Sequence, residues 1–132
     1  MYTIEITYDT GDSFSQRFGL KTTVGSWNSK DLAIKNAKII KEHYEIYKRI
    51  DGWDDPISED EAINIIKTKE WCPEFQFDKE RDYLRSYIML HSVKLQLDSG
   101  DWFQYGVSTW CGYFESLEGI RIVPEDDSLE IL

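Results

Sequence analysis

Asp9-Thr10-Gly11-Asp12-Ser13-Phe14 and Asp98-Ser99-Gly100-Asp101-Trp102-Phe103 are two copies of one short phrase, and their reading decides the fold. Each copy follows an alternating apolar and polar run and precedes a tryptophan, Trp27 in the first case and Trp110 in the second. Polar turn formers with a glycine between alternating runs specify a β-hairpin. The chain therefore carries a duplicated hairpin unit. The first run shows the alternation plainly: Tyr2, Ile4, Ile6 and Tyr8 fall on one face and Thr3, Glu5 and Thr7 on the other, as a half-buried strand requires. Ser13 to Val24 should return, interrupted near Gly19 and ended by Gly25. The second run ends in Val93, Leu95 and Leu97 against Lys94 and Gln96, and its turn leads into Trp102–Val107. A last strand around Gly119–Val123 completes the β content. Aligning the Asp9 and Asp98 phrases and then Trp27 with Trp110 requires six residues to be dropped, so the duplication is loose.

Between the hairpins the period changes to that of a helix. Asn28 or Ser29 can cap a segment in which Ala33, Ala37, Ile40, Tyr44 and Tyr47 recur at three- and four-residue spacing, widened by Ile39, Ile46 and Ile50. Its other face carries Lys35, Lys38 and Lys41, with Lys38/Glu42 and Lys41/Glu45 spaced for ion pairs, and Asp51-Gly52 should close it. Ser58-x-x-Glu61 is a capping box that opens a second, shorter helix held down by Ile63, Ile65 and Ile66 as far as Trp71 and Pro73. Residues 74–86 suit a strand or a helical turn equally. The expected architecture is a single α+β domain over residues 1–132: duplicated hairpins in a mainly antiparallel sheet, with one long and one short helix packed on it. Its repeat-like halves are about 2–50 and 87–123, and 51–86 is an acidic helical insert.

Composition limits the function classes. The 132 residues, 41% hydrophobic and 14% aromatic, suffice for one real core but would leave two domains marginal. Apolar runs such as Tyr87-Ile88-Met89-Leu90 fall far short of the roughly 20 residues of a membrane helix. Glu5 and Asp9 interrupt the N-terminal stretch, so no secretory leader is expected and the protein should be cytosolic. The net charge of −10 is uneven: residues 1–50 carry +2, 51–82 carry −7 and 113–132 carry −5. Phosphate backbones repel such a chain, which argues against direct nucleic-acid binding. An acidic surface can instead keep the protein soluble or dock on a basic partner.

No constellation announces chemistry. Cys72 and Cys111 are too few and too far apart for a zinc site, and His43 and His91 do not supply the missing ligands, so no metal or other cofactor is expected. The two Asp-Thr/Ser-Gly phrases resemble aspartic protease signatures only in outline, because charged Asp12 and Asp101 follow the glycines and the chain is about one lobe long. Phosphate-binding glycine loops and the Gly-x-Ser-x-Gly elbow are absent. Cys111 beside Trp110 lacks a defined base or an electropositive setting to lower its pKa. Trp110 to Leu117 reads first as a packed aromatic corner, and its aromatics could also anchor a partner.

The opening Tyr2–Phe14, the helical Ala37–Tyr47 with Ile40-Lys41-Glu42-His43-Tyr44, and the Trp110–Glu115 block together resemble small acidic accessory proteins of large tailed bacteriophages. The resemblance spans most of the chain and implies a viral protein in the host bacterial cytoplasm. It implies no catalytic residues. The expected function is non-catalytic: binding a host protein that offers a basic surface, and modulating or inhibiting it. The residues expected to meet that partner are Trp53, Asp54, Asp55, Glu59, Asp60 and Glu61, with Trp110, Tyr113 and Phe114. The alternatives are a protein that sequesters a nucleotide-like signal through an aromatic pocket and Lys35, Lys38 and Lys41, and a minor virion or assembly protein.

Overall fold

A computed structural model describes residues 1–10, 17–50, 55–72, 92–106 and 116–124. Along the chain these form β1 (Tyr2–Thr10), β2 (Arg17–Trp27), α1 (Lys30–Tyr47), α2 (Glu59–Lys67), β3 (Ser92–Gln96), β4 (Trp102–Gly106) and β5 (Ser116–Pro124). The class is α+β in a single small domain, with the duplicated hairpins, one long helix and one short helix that the periodicity indicates. All pairs among these five strands are antiparallel. Among the described residues the hairpins do not share a sheet: β2-β1-β5 form one, and β3-β4 the other.

β1 lies in the middle of the larger sheet, and its alternation works as read. Ile4, Ile6 and Tyr8 are buried on one face, opposite Ile122, Ile120 and Leu117 of β5. The other face is polar, with Thr3 and Ser26 hydroxyls 2.6 Å apart and Arg121 donating to Glu5 at 2.7 Å. The expected interruption near Gly19 is a register shift: Tyr8 pairs with Leu20 but Thr10 with Arg17, so β2 holds one extra residue there. Asp9 accepts from the Gly19 N–H at 2.8 Å across it. β2 then runs past Gly25 to Trp27 rather than stopping. The Trp27 indole folds back over Gly25, where an added Cβ would sit 3.1 Å from the ring, so the glycine makes room for a side chain instead of ending a strand. The second hairpin closes with Gly100 N–H donating to Leu97 O at 2.8 Å and Leu97 N–H to Asp101 O at 2.7 Å. Gly100, at φ +93, supplies the left-handed residue such a three-residue loop needs.

α1 packs against β1, β2, β3, β5 and α2, so it is the common wall of both sheets. Ser29 caps it, accepting from Leu32 N–H at 3.2 Å. Asp98, from the second hairpin turn, accepts from Asn28 N–H at 3.1 Å, so the first helical turn is tied to a residue 70 positions away in sequence. The buried stripe of α1 is Ala33, Asn36, Ile39, Ile40, His43 and Ile46, which rotates the face away from the expected Ala37, Tyr44 and Tyr47, all half-buried. Two polar residues therefore lie at its centre. Asn36 donates to Gln96 O and accepts from Gln96 N–H, both at 2.9 Å, while Trp27 Nε1–H donates to the same carbonyl at 2.7 Å. His43 stacks on Tyr47 and meets Trp71 edge-on, with centroids 6.5 and 5.8 Å away.

Both helices end earlier than their patterns suggest. α1 stops at Tyr47 because Arg49 and Ile50 bond back only three residues, and Ile50 then bridges Ile57. The expected Asp51-Gly52 terminus lies outside the described residues. α2 ends at Lys67, where Thr68 Oγ1 donates to Ile65 O at 2.6 Å, while Ala62, Ile63 and Ile66 stay buried against α1. Trp71 is buried just beyond.

Asn36→Ala should cost about 2–4 kcal/mol, since it removes two hydrogen bonds and leaves the Gln96 N–H without its acceptor. Urea denaturation followed by tryptophan fluorescence measures it; a loss below about 1 kcal/mol would show that apolar packing alone joins α1 to β3.

Candidate functional site

The acidic residues expected to face a partner divide between two structural roles. Glu59, Asp60 and Glu61 occupy the first turn of α2, all exposed. Their position is dictated locally: Ser58 Oγ accepts from Glu61 N–H at 3.1 Å, and negative charge at a helix N-terminus is stabilised by the aligned peptide dipoles. Ala62, Ile63 and Ile66 are buried along the helix face that follows Glu59, and the three consecutive carboxylates fan around the first turn about 100° apart. Asp55 is engaged elsewhere. It adopts φ +49, and Arg49 grips it twice, with Nη2 on Oδ2 at 2.9 Å and Nε on the carbonyl at 3.0 Å. Ile57 N–H then donates to Arg49 O at 2.9 Å, so the segment entering α2 is clipped to the end of α1. Trp53, Asp54, Trp110, Tyr113 and Phe114 lie outside the described residues.

Beside the clip, an open groove of about 660 Å³ runs between the C-terminal half of α1 and α2. Ile46 and Ile65 line it together with six charged side chains, which pair off within it. Lys48 meets Glu45 at 2.7 Å, Arg49 meets Asp55 at 2.9 Å and Lys69 meets Glu42 at 2.6 Å. The i,i+4 partners expected from the sequence, Lys38 for Glu42 and Lys41 for Glu45, are displaced in this arrangement. Glu42 turns instead to the segment after α2, where Trp71 Nε1–H donates to it at 3.1 Å and Lys69 lies close. Partial burial raises the Glu42 carboxyl, but the hydrogen bonds from Lys69 and Trp71 and the lysine charge outweigh it, so the group is held below its ordinary value.

The three lysines of the nucleotide alternative do not all meet in one groove. Lys35 donates to Gln96 Oε1 at 3.0 Å and sits 5.3 Å from the Trp102 ring centroid, so it serves the α1–β3–β4 junction. Lys35 and Lys38 line one shallow groove, and Lys41 lines another facing β5. Burial pushes the Cys72 thiol up, only partly offset by Lys94 and Lys67, so it is a weak nucleophile at neutral pH. Among the described residues, no group of three or more His, Cys, Asp or Glu is placed to hold a metal ion, and no helix is long and apolar enough to cross a membrane. The chain matches no protein-family model, no curated protein and no solved structure.

The sequence reading leaves out Asn36 and gives Glu42 a different partner from the Lys69 and Trp71 that hold it. Asn36 had a usable signal, since it sits between Ala33 and Ile40 at the spacing of the apolar stripe, where a polar side chain must find a buried partner. Glu42 had none, because Trp71 and Lys69 are distant in sequence.

Glu42→Gln should lower stability by about 0.5–1 kcal/mol at neutral pH, the range for a half-exposed pair. A carboxyl lowered on folding stabilises above its unfolded pKa, about 4.3 for Glu, and loses that contribution as pH falls through the native value. The gap between wild type and variant should thus hold steady above the unfolded value and close as pH falls through the lower native one. Paired thermal melts across that range give the answer; a gap that does not change with pH would remove the ionic contribution.

Proposed function

We propose that this chain is a non-catalytic accessory protein of the bacteriophage type that binds a basic surface on a host protein and modulates or inhibits it. The observation that carries this reading is the rigid, exposed acidic turn Glu59-Asp60-Glu61, fixed by the Ser58 cap and by the buried side of α2. Three carboxylates on one short turn create a local negative field that speeds encounter with a cationic patch more than it strengthens the docked complex. The overall charge of −10 acts in the same direction and disfavours phosphate-rich partners. Asp55 contributes by holding the segment that enters α2, since its carboxylate is already shared with Arg49. The resemblance of Tyr2–Phe14, Ala37–Tyr47 and Trp110–Glu115 to phage accessory proteins supports the host-directed part of the reading.

The combined variant Glu59→Gln, Asp60→Asn, Glu61→Gln keeps side-chain size and Ser58, and should cost about 1–2 kcal/mol through lost helix-dipole complementarity. Affinity capture from nuclease-treated bacterial lysate over a salt series compares it with the wild type. The wild type should enrich a host protein that is lost both at high salt and with the variant. Identical capture by both proteins, independent of salt, would exclude the acidic turn as the docking element.

A further inference from the structure

The chain leading into α2 and the body of that helix are anchored by different means. Of residues 55–61, Ile57 is buried and the other six are exposed. Beyond them Ala62, Ile63, Ile66 and Trp71 all lie in the core, and Trp71 Nε1–H donates to Glu42. Detaching 62–72 would uncover four buried side chains, whereas detaching 55–61 uncovers a single isoleucine, a small part of the stability of a domain. Openings that expose little apolar surface are the ones a native protein makes locally.

Polar contacts to the end of α1 hold 55–61 closed. Arg49 donates to Asp55 Oδ2 through Nη2 at 2.9 Å and to the Asp55 carbonyl through Nε at 3.0 Å, and its own carbonyl accepts from Ile57 N–H at 2.9 Å. Asp55 sits at φ +49, a left-handed conformation that aspartate tolerates better than most residues but still at a cost. The grip therefore works against a backbone that gains by relaxing. The Asp55 side chain is 80% exposed even while paired, so dissolved ions reach it. We infer that Arg49 and Asp55 form an ionic latch: when it is screened, 55–61 opens from α1 as a local unit while the rest of α2 and the sheets stay folded.

Opening frees Asp55 to return to negative φ, breaks the Ile57–Arg49 bond and the Ile50–Ile57 bridge, and loosens the Ser58 cap. Salt then acts in opposite directions within one molecule. It weakens the latch, and it screens the mutual repulsion of a chain of −10, which favours the compact state elsewhere. The firmness of the turn Glu59-Asp60-Glu61 belongs to the latched state, and the latch itself does not depend on whether that turn docks on a partner.

Amide hydrogen exchange of the full chain, read by NMR at Ile57 and Glu61 and at Ile40 in the middle of α1, from about 0.05 to 1 M sodium chloride, tests the latch. Protection at Ile57 and Glu61 should fall by up to about fivefold over that range, the span of an exposed pair of good geometry, while protection at Ile40 holds or rises. Arg49→Met keeps the apolar stem and removes the guanidinium. It should show the lowered protection at Ile57 already at low salt, with little further response to salt and with Ile40 unchanged. Asp55→Asn, which accepts the same φ and removes the charge from the other side, should lose the salt response as well. Equal protection at Ile57 in the wild type and both variants at low salt overturns the latch. So does a common opening free energy for Ile57, Glu61 and Ile40, which would mean that 55–61 opens only with the whole domain.

Discussion

Asn36 of α1 donates to and accepts from the peptide of Gln96 on β3, and Trp27 at the end of β2 donates to the same carbonyl, so three elements meet at one backbone group. Apolar burial alone would hold α1 against the sheets, but it is non-directional and tolerates sliding. Two hydrogen bonds of 2.9 Å from a buried amide do not: a shift of one residue along β3 would leave both partners unsatisfied in a place where water cannot replace them. This pairing fixes the register between the helix and the second hairpin. Asp98 extends it, reaching from the hairpin turn to the peptide N–H groups that precede α1.

The duplicated phrase has thus acquired two uses. Asp9, in the first copy, serves its own hairpin by bonding Gly19 across a bulge. Asp98, at the matching place in the second, works at long range on the helix N-terminus. The strands diverge likewise, with nine and eleven residues in the first hairpin and five in each strand of the second. β5 adds itself to the first hairpin, and among the described residues β3-β4 are joined to the rest through side chains and a strand-like bond to Trp71. Such a ribbon needs a helix behind it, since a lone two-stranded hairpin is marginal in water. Val93 and Leu95 supply that contact, both fully buried.

The charged surface follows a comparable division. Acidic groups in the groove between α1 and α2 are bound to neighbouring cations; Lys48 and Glu45 pair along the end of α1, while Arg49–Asp55 and Lys69–Glu42 tie that end and α1 to the segments on either side of α2. Glu59, Asp60 and Glu61 serve the helix dipole instead, and that leaves their carboxylates turned to solvent. Complementing a helix terminus and presenting a negative ridge are compatible tasks, because the dipole acts along the axis while the side chains project outward.

Local chemistry made the strands, both hairpins, the long helix and the Ser58 cap legible, because alternation, turn formers and capping residues act within a few positions of one another. Gly25 misled, since its role depends on where the Trp27 ring lies. The rotation of α1 that buries His43 and leaves Tyr44 half-covered was out of reach, because it depends on what Trp71 offers from some 30 residues away. The acidic turn of the candidate site was readable as charge, whereas the pairing of Asp55 with Arg49 and of Glu42 with Lys69 was not. The sequence by itself determined which segments become strand or helix and where the negative charge accumulates. Only the tertiary structure decided which charges are taken up by internal pairs and which sheet each described strand joins, since these follow from long-range packing and hydrogen bonding that no local pattern encodes.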